Sequence, residues 1–142
     1  MSRVMGVDYG LKRIGIAMTD ILQVVASPFD IVESVSLKKD AVAIVDIAKN
    51  NDVSCIVFGL PINMNGTEGE MVESIHKVIE AIKSISDIDI VTLDERLTTA
   101  QAERLLIEEA NLSRQKRKGL KDKIAASFIL QTYLNMQCNK TI

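Results

Sequence analysis

The chain has 142 residues, 47% hydrophobic and 25% charged, with a formal net charge of −2. This is the composition of an ordinary soluble fold, and the length suits one domain over residues 1–142 that buries a core without disulfide or metal staples. No stretch approaches the roughly 18 consecutive apolar residues that span a bilayer, and no basic-then-apolar leader opens the chain, so a cytoplasmic protein without membrane contact is expected.

Val4 to Val7 and Ile14 to Met18 are apolar runs separated by Asp8-Tyr9-Gly10-Leu11-Lys12-Arg13, a spacing that predicts a β-hairpin with Gly10 supplying a positive φ at the reversal. Val24 to Ala26 and Ile31 to Val35 bracket Pro28, which predicts a third strand at a sheet edge. Ser36 can cap a helix carrying Ala41, Ile44, Val45 and Ala48, ended by Asn50-Asn51-Asp52, and Ser54 to Phe58 reads as a strand covered on both faces. After the turn-rich loop Gly59 to Gly66, Thr67 and Glu70 form a capping box for a helix with Met71, Ile75, Val78, Ile79 and Ile82 on one stripe. Ile88 to Leu93 is a strand running into Asp94-Glu95-Arg96. Thr98 and Gln101 open a helix to about Ala110, and a last helix runs from roughly Leu120 to Met136. The order β-β-β-α-β-α-β-α-α implies an α/β fold: a five-stranded mixed sheet, an antiparallel three-strand meander joined to parallel strands, with helices on both faces.

In such a sheet, functional groups collect at the carboxyl ends of the parallel strands. Asp8 ends the first strand and Glu95 the last. Asp122 shares a helical face with Ala125, Ala126 and Ile129, small enough at two positions for close approach to the sheet. Three carboxylates converging on one cleft repel one another unless divalent cations neutralise them, and hard oxygen ligands suit Mg²⁺ or Mn²⁺. Two such ions can activate water and stabilise the leaving oxygen in phosphodiester cleavage. Each acid also has a plainer reading. Asp8 can be a turn former, Asp94-Glu95 an anionic pair at a helix N-terminus, and Asp122 a solvated partner of Lys121 or Lys123. Asp94 stands in reserve for Glu95, since alternation lets only one of them face the cleft. The window from Arg114 to Lys123 holds Arg114, Lys116, Arg117, Lys118, Lys121 and Lys123 against the single acid Asp122, an electropositive strip in an acidic protein. Two Tyr, three Phe and no Trp argue against a surface built on base stacking. Cys55, Cys138 and His76 have no ligand-like setting.

Four blocks carry a family resemblance: residues 4–17, VMGVDYGLKRIGIA; 59–69, GLPINMNGTEG; 94–99, DERLTT; and 122–134, DKIAASFILQTYL. In order and spacing they resemble the YqgF/RuvX family of resolvase-like nucleases, related to RuvC and built on a ribonuclease-H-like fold. The resemblance implies a bacterial, cytoplasmic nuclease that matures the 5′ end of the 16S ribosomal RNA precursor, or one that resolves Holliday junctions. It assigns catalysis to Asp8, Glu95 and Asp122, the same three acids expected from their chemistry to hold two Mg²⁺ or Mn²⁺ ions. Lys12, Arg13 and Arg96 become phosphate contacts, with Arg114, Lys116, Arg117, Lys118 and Lys121 as a wider strip for structured RNA or branched DNA. Gly59 to Gly66 can bring backbone N–H groups to phosphate or be simply a loop. A monomer or a weak homodimer fits this reading. Two competitors stay open: an actin-like nucleotide phosphotransferase, for which 142 residues are few, and a nucleic-acid-binding assembly factor that does not cut.

Overall fold

A computed structural model describes residues 2–62, 66, 68–97 and 114–140, the side chains of 97, 114–121 and 138–140 excepted. Strands β1 (Arg3–Tyr9) and β2 (Arg13–Thr19) form the hairpin, paired antiparallel with Asp8 opposite Gly15. Gly10 does not adopt a positive φ; among the described glycines only Gly66 does. Space is what Gly10 provides, because a Cβ there would sit 2.7 Å from the Arg13 carbonyl oxygen, the atom that accepts a hydrogen bond from the Gly10 N–H at 3.0 Å.

β3 (Ala26–Glu33) pairs antiparallel with β2 and lies at the sheet edge, as Pro28 requires. The register slips beside Pro28, where Ile16 faces Asp30 and Ala17 faces Pro28, so Phe29 is the extra residue of a bulge. β4 (Val53–Leu60) and β5 (Asp89–Asp94) extend the sheet in parallel on the other side of β1, giving the order β3-β2-β1-β4-β5.

Helix α1 (Leu37–Asn50) begins where predicted, with the Ser36 hydroxyl accepting the Lys39 N–H at 3.2 Å. Helix α2 (Glu70–Ile85) starts later than the Thr67–Glu70 box implies. Its N-cap is Gly69, which offers no side-chain acceptor, while Thr67 lies outside the described residues. Its inward stripe is Val72, Ile75, Val78, Ile79 and Ile82, with Met71 only half-buried. Helix α3 (Arg114–Lys140) starts about two turns before Leu120, so the basic stretch forms its first turns and does not precede it. The helix expected from Thr98 to about Ala110 lies outside the described residues. None of the described helices is long and apolar enough to cross a membrane.

Strand alternation divides the core in two. Met5, Val7, Ile14, Ile16, Ile56 and Phe58 point to the layer formed by α1 and α2. Val4, Ala17, Val57 and Leu93 point to α3, which buries Ala125, Ala126, Ile129 and Leu130 against them. Each fully buried Ile or Leu contributes about 1.5–3 kcal/mol of transfer free energy. What lets α3 lie so close is bare backbone: a Cβ at Gly6 would be 2.8 Å from Leu130 Cβ and 2.9 Å from the Ala126 carbonyl oxygen. At its side, Gln131 Oε1 accepts the Ala26 N–H at 3.1 Å and ties the helix to the edge strand.

Candidate active site

Asp8 is the last residue of β1 on the α3 face, with β2 on one side and β4 on the other. Both flanking positions are glycine. Gly15 is directly opposite Asp8, and Gly59 lies one step beyond the Val7–Phe58 pair. Each absent side chain makes room for another acid. A Cβ at Gly15 would collide with the Asp122 carbonyl oxygen and lie 3.2 Å from Asp122 Cβ. A Cβ at Gly59 would lie 3.0 Å from Glu95 Cγ and 2.5 Å from Ile129 Cδ1. Three carboxylates distant in sequence therefore gather through two missing methyl groups. Gly15 was not singled out in the sequence, and Gly59, expected to open the turn-rich loop, is instead a residue of β4; an isolated Gly inside an apolar strand signals close approach of another chain segment.

At the end of β5, alternation decides between neighbouring acids. Leu93 packs toward α3, Asp94 turns away, and Glu95 returns to the α3 face on a short 3₁₀ turn (Glu95–Leu97), where it is 1% exposed. Asp94 instead grips Arg96: its two oxygens accept the guanidinium at 2.7–3.1 Å, and Oδ1 also accepts the Arg96 N–H at 2.9 Å. These bonds hold the Asp94 carboxyl below its ordinary value and the Arg96 guanidinium above its own.

A cleft of about 410 Å³ is lined by Asp8, Glu95 and Asp122 together with Lys12, Arg13 and the turn residues between β1 and β2; Pro61 and Met71 close it from the α2 side. Arg13 Nε donates to Asp122 Oδ2 at 3.4 Å, a pair that remains partly solvated. Five residues expected at the site thus share one cavity. Arg96 is not among the residues lining it, and the side chains of Arg114, Lys116, Arg117, Lys118 and Lys121 lie outside the described residues. His76 is exposed on α2, away from the cleft.

The hairpin turn is braced from behind by groups that sequence reading missed. Tyr9, facing the opposite layer from Asp8, donates its hydroxyl to Asp40 Oδ2 at 2.7 Å. The same oxygen accepts Ser34 Oγ at 2.6 Å, and Oδ1 accepts the Val35 N–H at 2.8 Å. Ser34 N–H in turn donates to the Lys12 carbonyl at 3.0 Å. Asp40 is buried, which disfavours its charge, but these bonds prevail and hold its carboxyl below the usual range. Burial and the Asp40 contact push Tyr9 up to about 12. Pairs separated by 31 residues leave no local sequence pattern.

The donor chemistry of Asp8, Glu95 and Asp122, all carboxylate oxygens, fits a hard divalent cation such as Mg²⁺ or Mn²⁺. The arrangement is open: among the described residues, no three His, Cys, Asp or Glu are drawn close enough to hold an ion between them.

A β3-β2-β1-β4-β5 sheet with helices on both faces is an α/β fold of the ribonuclease-H-like class, and the family and relatives that the chain matches make it a nuclease, a hydrolase of phosphodiester bonds. The fold is similar to that of T. thermophilus RuvC in complex with a Holliday junction substrate, at TM-score 0.59 and 12% identity over 96% of both chains. It is also similar to the fowlpox virus Holliday junction resolvase, at TM-score 0.54 and 17% identity over 95% of this chain and 99% of that one. Residues 2–136 match the family model described as RuvX, Holliday junction resolvase, and the chain belongs to the RuvX family. A relative from Endomicrobium trichonymphae, named as a candidate pre-16S rRNA nuclease, is 66% identical over 140 residues, covering 99% of this chain and 100% of the relative. A relative of the same name from Thermoanaerobacter pseudethanolicus is 44% identical over 138 residues, covering 97% and 99%.

Proposed function

We propose that this chain is a divalent-metal-dependent nuclease of the cytoplasm that trims the 5′ end of the 16S ribosomal RNA precursor. The observation that carries the reading is the cleft itself, in which acids from β1, the end of β5 and α3 face two cations of the hairpin turn. Asp8, Glu95 and Asp122 would hold Mg²⁺ or Mn²⁺, two ions in all. Ions so held supply a more acidic bound water and neutralise charge at the phosphate. The protein's own part is to place a phosphodiester over the acids. Arg13 offers a planar fork suited to phosphate oxygens, and Lys12 a point charge on an exposed arm. Both add positive charge beside the carboxylates, which would repel the polyanion before the ions are bound. Arg96 and the basic first turns of α3 extend phosphate contact beyond the cleft.

The test is cleavage of labelled precursor RNA with Mn²⁺ or Mg²⁺, comparing wild type with Asp8→Asn and including four-way junction DNA as a second substrate. Metal-dependent cutting of the RNA that is lost in D8N supports the proposal. Cutting of the junction alone would transfer the activity to branched DNA. Binding without cutting of either substrate would make the protein an assembly factor.

A further inference from the structure

We infer that Arg13 is a latch on Asp122: it keeps the third acid from the cation site until a phosphate of the nucleic acid claims the guanidinium. The inference rests on the function proposed above and adds the order of events at the site. Three features lead to it. First, Asp8, Glu95 and Asp122 line one cleft yet are not drawn together closely enough to hold an ion. Second, the Asp122 carboxylate is engaged by Arg13 at 3.4 Å, a long contact with 31% and 19% of the two side chains exposed. A partly solvated pair of that geometry is weak, whereas two parallel N–H···O bonds to a phosphate are strong, so an arriving phosphate outcompetes Asp122 for the guanidinium. Third, both backbones are pinned. The Arg13 carbonyl accepts the Gly10 N–H, Arg13 pairs with Glu33 across the sheet, and the Asp122 main chain rests on Gly15. Exchange therefore needs only side-chain rotation, which is fast compared with turnover.

Linkage makes the latch reciprocal: if phosphate binding at Arg13 strengthens cation binding, cation binding strengthens the grip on nucleic acid by the same factor. The consequence is a nuclease whose cation site is completed by its substrate.

Mn²⁺ binding, read from the electron paramagnetic resonance of the free ion, tests this on the full chain without reference to activity. Arg13→Gln is expected to tighten Mn²⁺ binding in the absence of nucleic acid by at least roughly fivefold, the lower end of typical coupling between sites. In an Asp122→Asn background the same change is expected to do nothing. A short RNA duplex, shown by gel to stay uncut and with its own Mn²⁺ uptake subtracted, is expected to tighten binding to wild type but not to R13Q. Equal Mn²⁺ affinity of wild type and R13Q overturns the latch. So does an equal gain from R13Q with and without D122N, which would mean that Arg13 acts only as a nearby positive charge. Mn²⁺ binding unchanged by Asp8→Asn would overturn the underlying cation site as well, and is distinguishable because it involves neither Arg13 nor Asp122.

Discussion

Replacing Gly15 with alanine should injure stability and chemistry together, because the added methyl group lands on the main chain of α3 at Asp122. The obstacle is a helical carbonyl, which cannot rotate aside as a side chain would. Ordinary carbon contacts lie at about 3.5–4 Å, so the turn of α3 that carries Asp122 must withdraw by on the order of 1 Å. Overpacking of this kind costs about 1–3 kcal/mol, and a backbone obstacle points to the upper end. Since domain stability is typically about 5–15 kcal/mol, the variant should still fold. Its urea midpoint should fall with an unchanged m-value, and its cleavage rate should drop by roughly 100-fold, the usual consequence of a 1 Å misplacement at a reacting centre. Gly6→Ala is the matched comparison, because it meets Ala126 and Leu130 further along the same helix. It should lose similar stability and much less rate. A Gly15→Ala protein with a wild-type midpoint and wild-type cleavage would refute the idea that bare backbone beside Asp8 sets the place of Asp122.

Tyr9 gives a pH signature at the alkaline end. Its value is raised from 10.0 to about 12, so its contribution is whole below pH 10 and is lost as the pH climbs toward 12; at most about 2–3 kcal/mol follows that limb. Tyr9→Phe should lower stability by about 1.5–3 kcal/mol at neutral pH, since the lost bond goes to a charged acceptor, and should abolish this part of the alkaline loss in urea titrations; an unchanged alkaline limb would exclude Tyr9 as its source. Gly69→Ser, supplying the acceptor that the N-cap of α2 lacks, should raise the thermal midpoint by an amount worth a few tenths of a kcal/mol, and a lower midpoint would contradict the cap. Lys116→Ala with Arg117→Ala should weaken RNA binding and reduce the slope of log affinity against log salt by about 0.7–0.9 per lost phosphate contact; an unchanged slope removes the strip from the binding surface.

Local signals were the readable ones. The hairpin, the Ser36 cap, the Pro28 edge strand and the buried run of β4 each follow from residues within a few positions of one another. Alternation required that only one of Asp94 and Glu95 face the cleft, and the phase of β5 in the structure makes it Glu95. Errors arose where one residue admits two physical reasons. Gly10 suggests φ freedom but serves clearance, and Thr67-x-x-Glu70 spells a capping box although the helix starts at Glu70 behind Gly69. The last helix was expected from roughly Leu120, whereas the backbone is already helical from Arg114. Long-range partnerships stayed hidden: nothing near Gly15 announces Asp122, and nothing near Tyr9 announces Asp40.

Asp8 and Tyr9 stand back to back on one strand, the first toward the cleft and the second toward a carboxylate buried on the opposite side. A random-mutagenesis screen for inactive protein should therefore return changes at Asp40 and Ser34, which never meet a nucleic acid. Such variants would mimic active-site lesions while leaving every cleft residue intact, and only their shifted unfolding curves would reveal that the fault lies in the foundation.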